Sequence, residues 1–235
     1  DLTHELSPET PHWYGFKPLE GKLLFDYREG TPDDMMAPMR CIQYSVASQY
    51  GTHVDVPLHF WGDGRDMSKI TVKELVYPLV VVDKSKECAE NPEFTMTVAD
   101  LEKWESENGK IPEGAFVAFR SDWYKKSNLD NPDENGNPHY PGWSVDAIKW
   151  LVEERNIGAI GHEPADTDPS YVTTREDAYP YPGEQYILET DRIQIEVMRN
   201  LDQVPAVGAM IVCAFPKLKD GTGFPARCFA ICPED

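Results

Sequence analysis

Apolar positions along the chain follow two rhythms that take turns. Cys41 to Ser48 alternates with period two, which predicts a half-buried strand running straight into Gln49 and Gly51. Leu79 to Val82 and Ala115-Phe-Val-Ala-Phe-Arg120 are short continuous apolar runs, the pattern of strands buried on both faces. Between them the period lengthens: Val98, Leu101 and Trp104 have helical spacing behind Thr97, a residue suited to cap a helix. A second helix is predicted from Ser144 to Arg155, with Ser144 as cap and Asp146 in its first turn. It leads into the buried-strand run Ile157-Gly-Ala-Ile160, which ends at Gly161-His-Glu163. In residues 184–200, Ile187/Leu188 and Ile195/Met198 predict a strand or loop that turns into a helix, rather than one rod. Ala209 to Phe215 and Ala226 to Ile231 read as strands bridged by the turn residues of Lys219 to Phe224, a C-terminal β-hairpin.

Strands alternating with helices predict an α/β fold, and 235 residues without repeats or long linkers predict one domain over 1–235, with an extended N-terminal arm over about 1–30. Lys and Arg number 22 against 41 Asp and Glu, a net charge of −19, which argues against nucleic acid or an anionic membrane surface as partner. No run approaches the ~20 apolar residues of a spanning helix, so a soluble protein is expected. Cys41, Cys88, Cys213, Cys228 and Cys232 are odd in number and lack zinc-site spacing, which predicts free thiols and a reducing compartment, the cytoplasm. The chain begins at Asp1 rather than Met, so an earlier signal segment stays open.

The candidate chemistry is concentrated in Gln49-Tyr-Gly-Thr-His-Val-Asp-Val-Pro-Leu-His59. His53, Asp55 and His59 lie at i, i+2 and i+6, so on an extended backbone all three face one side. Imidazole and carboxylate suit zinc, manganese or iron, and Gly51 and Pro57 bend the backbone so that the groups converge. Taken singly, His53 and His59 read equally as side chains satisfying buried backbone groups, with Asp55 as their partner. Together, in a chain with six histidines, they point to a metal site. His162 and Glu163 stand at a strand end as candidate pocket residues, although Glu163 before Pro164 also reads as a turn cap. Trp13, Phe60, Trp61 and Trp123 are candidate walls for a planar ligand, of which about two are expected to touch it. The polar loop from Ser127 to His139 lacks the spacing of an EF-hand calcium loop.

Gln49-x-Gly-Thr-His-x-Asp-x-Pro-x-His-Phe resembles the H-x-G-T-H-x-D-x-P-x-H signature of the cyclase family, which includes bacterial kynurenine formamidases and isatin hydrolases. The opening Asp1-Leu-Thr-His-Glu-Leu-Ser7 with Pro11 and Trp13 is similar to the family's N-terminal stretch, where a tryptophan approaches the substrate. Gly161 to Asp168, Glu184 to Pro205 and Gly221 to Arg227 resemble its later motifs. The resemblance implies mixed β-sheets forming a barrel-like core with flanking helices. It also implies homodimers or homotetramers, in which Trp13 can line a neighbour's pocket. Two positions depart from the formamidase pattern: Gln49 and Glu184-Gln185 stand where histidines help hold two zinc ions. Losing both argues for a single, harder ion, with Mn2+ favoured and Zn2+ the alternative. The isatin hydrolase pattern of histidine, aspartate and glutamine implies His53, Asp55 and Gln185 as ligands, with Glu184 as the alternative to Gln185.

In such a site His59 is placed as the candidate proton shuttle, a task suited to imidazole, and by the same resemblance Glu196 ligates, accepts a proton or orients a ligand. As residues alone, His59 also reads as a further ligand and Glu196 as a solvent-facing helix residue. The implied function is a metal-dependent hydrolase that opens a small cyclic amide or ester, isatin-like or a lactone, by metal-activated water. An aryl formamidase acting on N-formylkynurenine is the alternative. A non-catalytic small-molecule or metal-binding protein on the same scaffold is a further one.

Overall fold

The computed structural model describes residues 1–234. β1 (Glu20–Phe25) and β2 (Cys41–Ser45) pair antiparallel as a two-stranded arm. Then follow β3 (His53–Asp55), β4 (Val76–Asp83), α1 (Ser85–Glu90), β5 (Thr95–Met96), α2 (Val98–Asn108), β6 (Phe116–Arg120), β7 (Gly142–Trp143) and α3 (Val145–Arg155). The chain continues through β8 (Ala159–His162), α4 (Ser170–Thr173), α5 (Pro182–Glu189), β9 (Ile193–Glu196), β10 (Ala209–Ala214), β11 (Gly223–Pro225) and β12 (Arg227–Ile231). Among the described residues no helix is long and apolar enough to cross a membrane.

One eight-stranded sheet organises these elements, in the order β11-β3-β9-β8-β6-β4-β10-β12. Its middle strands β9, β8, β6 and β4 run parallel, and the outer pairings are antiparallel. The two edge strands β11 and β12 are separated in sequence by Ala226 alone, so the chain itself brings the sheet's edges together. The result is a nearly closed barrel, which leaves little exposed edge. Leu2 stitches the seam: its amide donates to the Cys228 carbonyl at 2.9 Å and its carbonyl accepts from the Arg199 amide at 3.2 Å.

Strand alternation then sorts side chains onto two faces. Val54, Leu79, Val81, Phe116, Ala118 and Ile195 fill the barrel interior. Val80, Val82, Val117, Phe119 and Ile160 point outward, under Leu101 of α2, Ile148 and Leu151 of α3, and Ile187 and Leu188 of α5. Burial on both faces is why these strands are continuous apolar runs, and each such side chain contributes about 1.5–3 kcal/mol. The helix starts follow the capping chemistry. The Thr97 hydroxyl accepts from the Asp100 amide at 3.3 Å while the Asp100 carboxylate accepts from the Thr97 amide at 3.0 Å. Ser144 accepts from the Ala147 amide at 3.1 Å.

The barrel with flanking helices agrees with the expected fold class, but three local expectations are corrected. The period-two segment at Cys41 forms the arm strand β2, outside the main sheet, and the metal-site residues have their own short strand β3. Residues 184–200 are a helix followed by a strand, the reverse of the expected order, because Pro182 sits in the first turn of α5 and Ile193 and Ile195 fill the barrel. β10 and β12 are paired as expected, but no simple turn joins them. Their connection crosses to the far edge, where β11 pairs with β3.

Candidate metal centre

Because Val54 points into the barrel, His53 and Asp55 point out of it. Antiparallel pairing places His53 opposite Glu196 and Asp55 opposite Gln194, which gathers four polar side chains on one outward patch of β3 and β9. The Thr52 hydroxyl, donating to the Val197 carbonyl at 2.6 Å, pins the two strands at this point. After β3 the backbone turns sharply through Pro57–His59, so His59 comes back over Asp55 and does not continue along the strand. α5 lies across the patch with Glu184 on the same side as Ile187 and Leu188. Gly223 allows the edge to close: a Cβ there would lie 2.4 Å from the Val54 carbonyl and 2.5 Å from the Gln49 amide nitrogen.

The cluster has more negative charge than its own residues can balance. The His53 Nδ1–H donates to the Gly51 carbonyl at 2.8 Å, which leaves the Nε2 lone pair facing Asp55 Oδ2 at 3.3 Å and Glu196 Oε2 at 3.5 Å. His53 Nε2 and Asp55 Oδ1 are buried polar atoms without a hydrogen-bond partner. The Gln194 amide NH2 faces three acceptors, Asp55 at 3.2 Å and Glu184 and Glu196 each at 3.0 Å, with only two hydrogens to give. Among the described residues no lysine or arginine pairs with Asp55, Glu184 or Glu196. Burial, then the charges of Asp55, Asp166 and Asp168, hold Glu184 well above the usual carboxylate range. Burial, followed by Glu184 and Asp55, does the same to Glu196. For His53, burial opposes protonation, but Asp55 outweighs it and the pKa ends above its ordinary value. Orphaned ligand atoms and mutually repelling acids are what a divalent cation relieves, so the residues fit a metal.

Two sets of ligand atoms lie within 4.8 Å of one another: His53, Asp55 and Glu196, and Asp55, His59 and Glu184. His59 Nε2 is 3.8 Å from Asp55 Oδ1 and 3.9 Å from Glu184 Oε1. Behind them stands a supporting layer. The Trp143 indole donates to His162 Nδ1 at 3.4 Å, so the His162 proton sits on Nε2 and is donated to Glu196 Oε1 at 3.2 Å. Burial lowers the His162 pKa to about 3, so the ring is neutral. Thr167 donates to Gln194 at 2.8 Å and lies 3.2 Å from Glu196. Val197, next to Glu196, has φ 53°, a left-handed conformation that costs a β-branched residue about 1–3 kcal/mol. Its amide bond to Pro164 and the bond from Thr52 hold it there.

A cavity of about 200 Å³ opens over the cluster, walled by Trp13, Phe60, His59 and Tyr181. Gln49 lines it and reaches Thr222 at 3.3 Å. The other expected site residues lie elsewhere. Gln185, expected as a ligand, faces away: it bonds Glu189 at 2.5 Å on the outer side of α5, one position out of phase with Glu184. Trp61 is 37% exposed and outside the cavity. Trp123 is buried in a satellite cluster with Leu129 and Tyr140, its indole donating to the Leu129 carbonyl at 2.7 Å. His162 lies beneath Glu196 and does not line the cavity. Glu163 accepts from the Ser121 and Trp123 amides, each at 3.0 Å, and so anchors the turn after β6. Sequence reading passed over Gln194, Thr167, Asp166 and Tyr181. For Gln194 a signal existed: Ile193-Gln-Ile-Glu196 alternates with period two, which puts Gln194 and Glu196 on one face.

Comparisons with known proteins bear on the family and the fold. The Cyclase family model matches residues 1–169. An isatin hydrolase from Roseibium aggregatum is 32% identical, over 100% of this chain and 91% of that protein. The structure of isatin hydrolase A from Labrenzia aggregata, bound to benzyl benzoate, superposes with a TM-score of 0.89 at 34% identity, covering 100% of this chain and 93% of that one. An isatin hydrolase bound to the product analogue thioisatinate gives a TM-score of 0.88 at 30% identity, covering 100% of this chain and 92% of that one.

Proposed function

Since the chain belongs to the cyclase family, we propose that it is a metal-dependent hydrolase that opens the ring of a small cyclic amide or ester, with isatin as the substrate to try first. The observation that carries this reading is the pair of orphaned ligand atoms, His53 Nε2 and Asp55 Oδ1, in a cluster whose His53, Glu184 and Glu196 line a cavity with aromatic walls. The similar isatin hydrolase that holds thioisatinate, a product analogue, supports the substrate class.

His53, Asp55 and Glu196 would hold the cation, with Glu184 as a further oxygen donor across from His59. This donor set, rich in carboxylate with Gln49 beside it, favours Mn2+ over Zn2+. When bound, the cation polarises the substrate carbonyl and makes water acidic enough to attack near neutral pH. His59 faces the cavity with 29% of its side chain exposed, so its Nε2 is placed to accept a proton from an attacking water and to deliver it to the leaving nitrogen or oxygen. Its distances to Asp55 and Glu184 aim the ring at the cluster. His162, Gln194 and Thr167 fix the orientation of Glu196. Trp13, Phe60 and Tyr181 receive a flat ring and exclude bulk water.

Assembly as a homodimer or homotetramer is part of the proposal. Tyr27, Met36, Met39 and Tyr44, all exposed on or beside the two-stranded arm, supply an apolar surface for a second copy. The five free cysteines support a reducing compartment such as the cytoplasm. An aryl formamidase keeps one observation in its favour, the second ligand set of Asp55, His59 and Glu184, which would suit a second ion. The test is to strip the protein with chelator, restore Mn2+ or Zn2+, and assay isatin, N-formylkynurenine and a panel of lactones. Metal-restored opening of isatin or a lactone is expected. Turnover of N-formylkynurenine alone would favour the formamidase, and inactivity on all three would end the hydrolase reading.

A further inference from the structure

The cavity over the metal cluster measures about 200 Å³, below the ~300–1,000 Å³ usual for small-molecule sites. A second cavity of about 520 Å³ shares three wall residues with it: Trp13, Asp166 and Tyr181. The two spaces are therefore neighbours, an inner chamber over the reacting centre and an outer one reached past Trp13 and Tyr181. Besides the shared Asp166 and Tyr181, the outer walls come from the arm's Trp13 and Tyr14, the loop bearing Asp130 and Pro138, and Thr174 after α4. Aromatic rings face into it from Trp13, Tyr14, Tyr140 and Tyr181.

The chamber's charge is one-sided. Its lining has two carboxylates, Asp130 and Asp166, and no lysine, arginine or histidine. The Asp166 carboxylate accepts a hydrogen bond from the Tyr140 hydroxyl at 2.6 Å. The Asp130 side chain makes no hydrogen bond among the described residues, although its backbone is tied to Asn128 and His139. An unengaged carboxylate attracts cations and repels anions, and the aromatic lining of the same chamber receives a flat ring.

We propose that the outer chamber is the second half of the substrate site: it takes an aryl or amine-bearing extension of the molecule whose carbonyl lies in the inner chamber, and it rejects an extension carrying a carboxylate. This rests on the hydrolase reading for the identity of the inner group, but the outer chamber's preference is readable by binding alone. Residues of the loop at 130–138 and of the segment around Thr174 are thus specificity determinants, while the metal cluster determines the reaction.

The test uses isatins that carry a benzyl, a para-aminomethylbenzyl or a para-carboxybenzyl group on the ring nitrogen or on the benzo ring. The two charged probes have similar reach and opposite charge, and the benzyl probe is the neutral reference. Binding to the metal-loaded protein is followed by tryptophan fluorescence, and turnover is measured alongside. In the unaltered protein the carboxylate probe should bind about tenfold or more weakly than the amine probe, the difference that ~1.4 kcal/mol produces. Asp130→Lys should reverse that order. Thr174→Trp, which fills the chamber from its exposed rim, should lower binding of all three probes relative to isatin by about tenfold. Equal binding of the three probes, an order unmoved by Asp130→Lys, or probe binding unmoved by Thr174→Trp would overturn the proposal while leaving isatin hydrolysis intact. If isatin and the probes are not hydrolysed yet the binding order follows Asp130 and Thr174, the chamber stands and the hydrolase reading falls.

Discussion

One sheet face is built in two opposite ways within a few strands. Where β4, β6 and β8 face α2 and α3, the outward positions are Val80, Val82, Val117, Phe119 and Ile160, and the apolar run gives way to a polar side chain at His162, where β8 meets β9. Where β9 and β3 continue the same face beneath α5, the outward positions become Gln194, Glu196, His53 and Asp55. The first half stabilises the fold by burying apolar area. The second concentrates buried acids whose mutual repulsion the protein alone does not relieve. The fold's stability and its chemistry thus occupy neighbouring parts of one layer, which separates the effects of substitution in each.

The largest effect is expected at His59. His59→Asn should lower kcat by about 10²–10⁴-fold, the usual contribution of a positioned acid–base group, with the metal still bound. Loss of the metal instead would make His59 a ligand and blur the division between floor and shuttle. In the apolar half, Leu101→Ala should cost about 2–5 kcal/mol of stability by denaturant titration while kcat per folded molecule is unchanged, because fully buried Leu101 packs in the core between the sheet and the helices and does not line the cavity.

Glu163 tests whether buried acids outside the cluster behave differently from those within it. Burial raises its pKa from 4.5 to about 7, against the hydrogen bonds from Ser121 and Trp123. The folded protein therefore keeps a proton there that the unfolded chain has released, and stability declines as pH rises across that window. Replacing the group by Glu163→Gln should flatten the decline by up to about 3 kcal/mol when the melting curves of the two proteins are compared across pH. The smallest effect has the opposite sign to an ordinary core substitution. In the metal-free protein Glu184→Gln should raise stability by about 1–2 kcal/mol, by replacing an acid that must take up a proton to be buried beside Asp55, Asp166 and Asp168, and the same change should weaken metal binding in a titration. A destabilised metal-free variant would show that the acids are satisfied without a cation.

Legibility in the sequence follows this division. The paired apolar runs and the caps at Thr97 and Ser144 were readable because local chemistry decides them. His53 and Asp55 were readable because a two-residue spacing on a strand needs no knowledge of the rest of the fold. Their convergence with Glu196 came only through family resemblance, since cross-strand register is not local. Choosing between Glu184 and Gln185 needed the phase of α5. Ile187 and Leu188, three and four residues after Glu184, give that phase once the segment is seen to begin as a helix. Reading it as a strand or loop first concealed the signal. The barrel's closure was also hidden, because β11 looks like part of a turn until its pairing with β3 is seen. Trp61 and Trp123 show that a tryptophan near a motif in sequence need not be near it in space.

The central claim is that the outward patch of β3 and β9 holds a divalent cation through His53 and Asp55, and metal analysis of the purified protein tests it most directly. After exposure to Mn2+ and exhaustive dialysis, the unaltered protein and Gln185→Ala should each retain one ion per chain, and His53→Ala should retain almost none and lose isatin-opening activity. A His53→Ala protein that keeps both its metal and its activity, or an unaltered protein that retains no ion, would contradict the account.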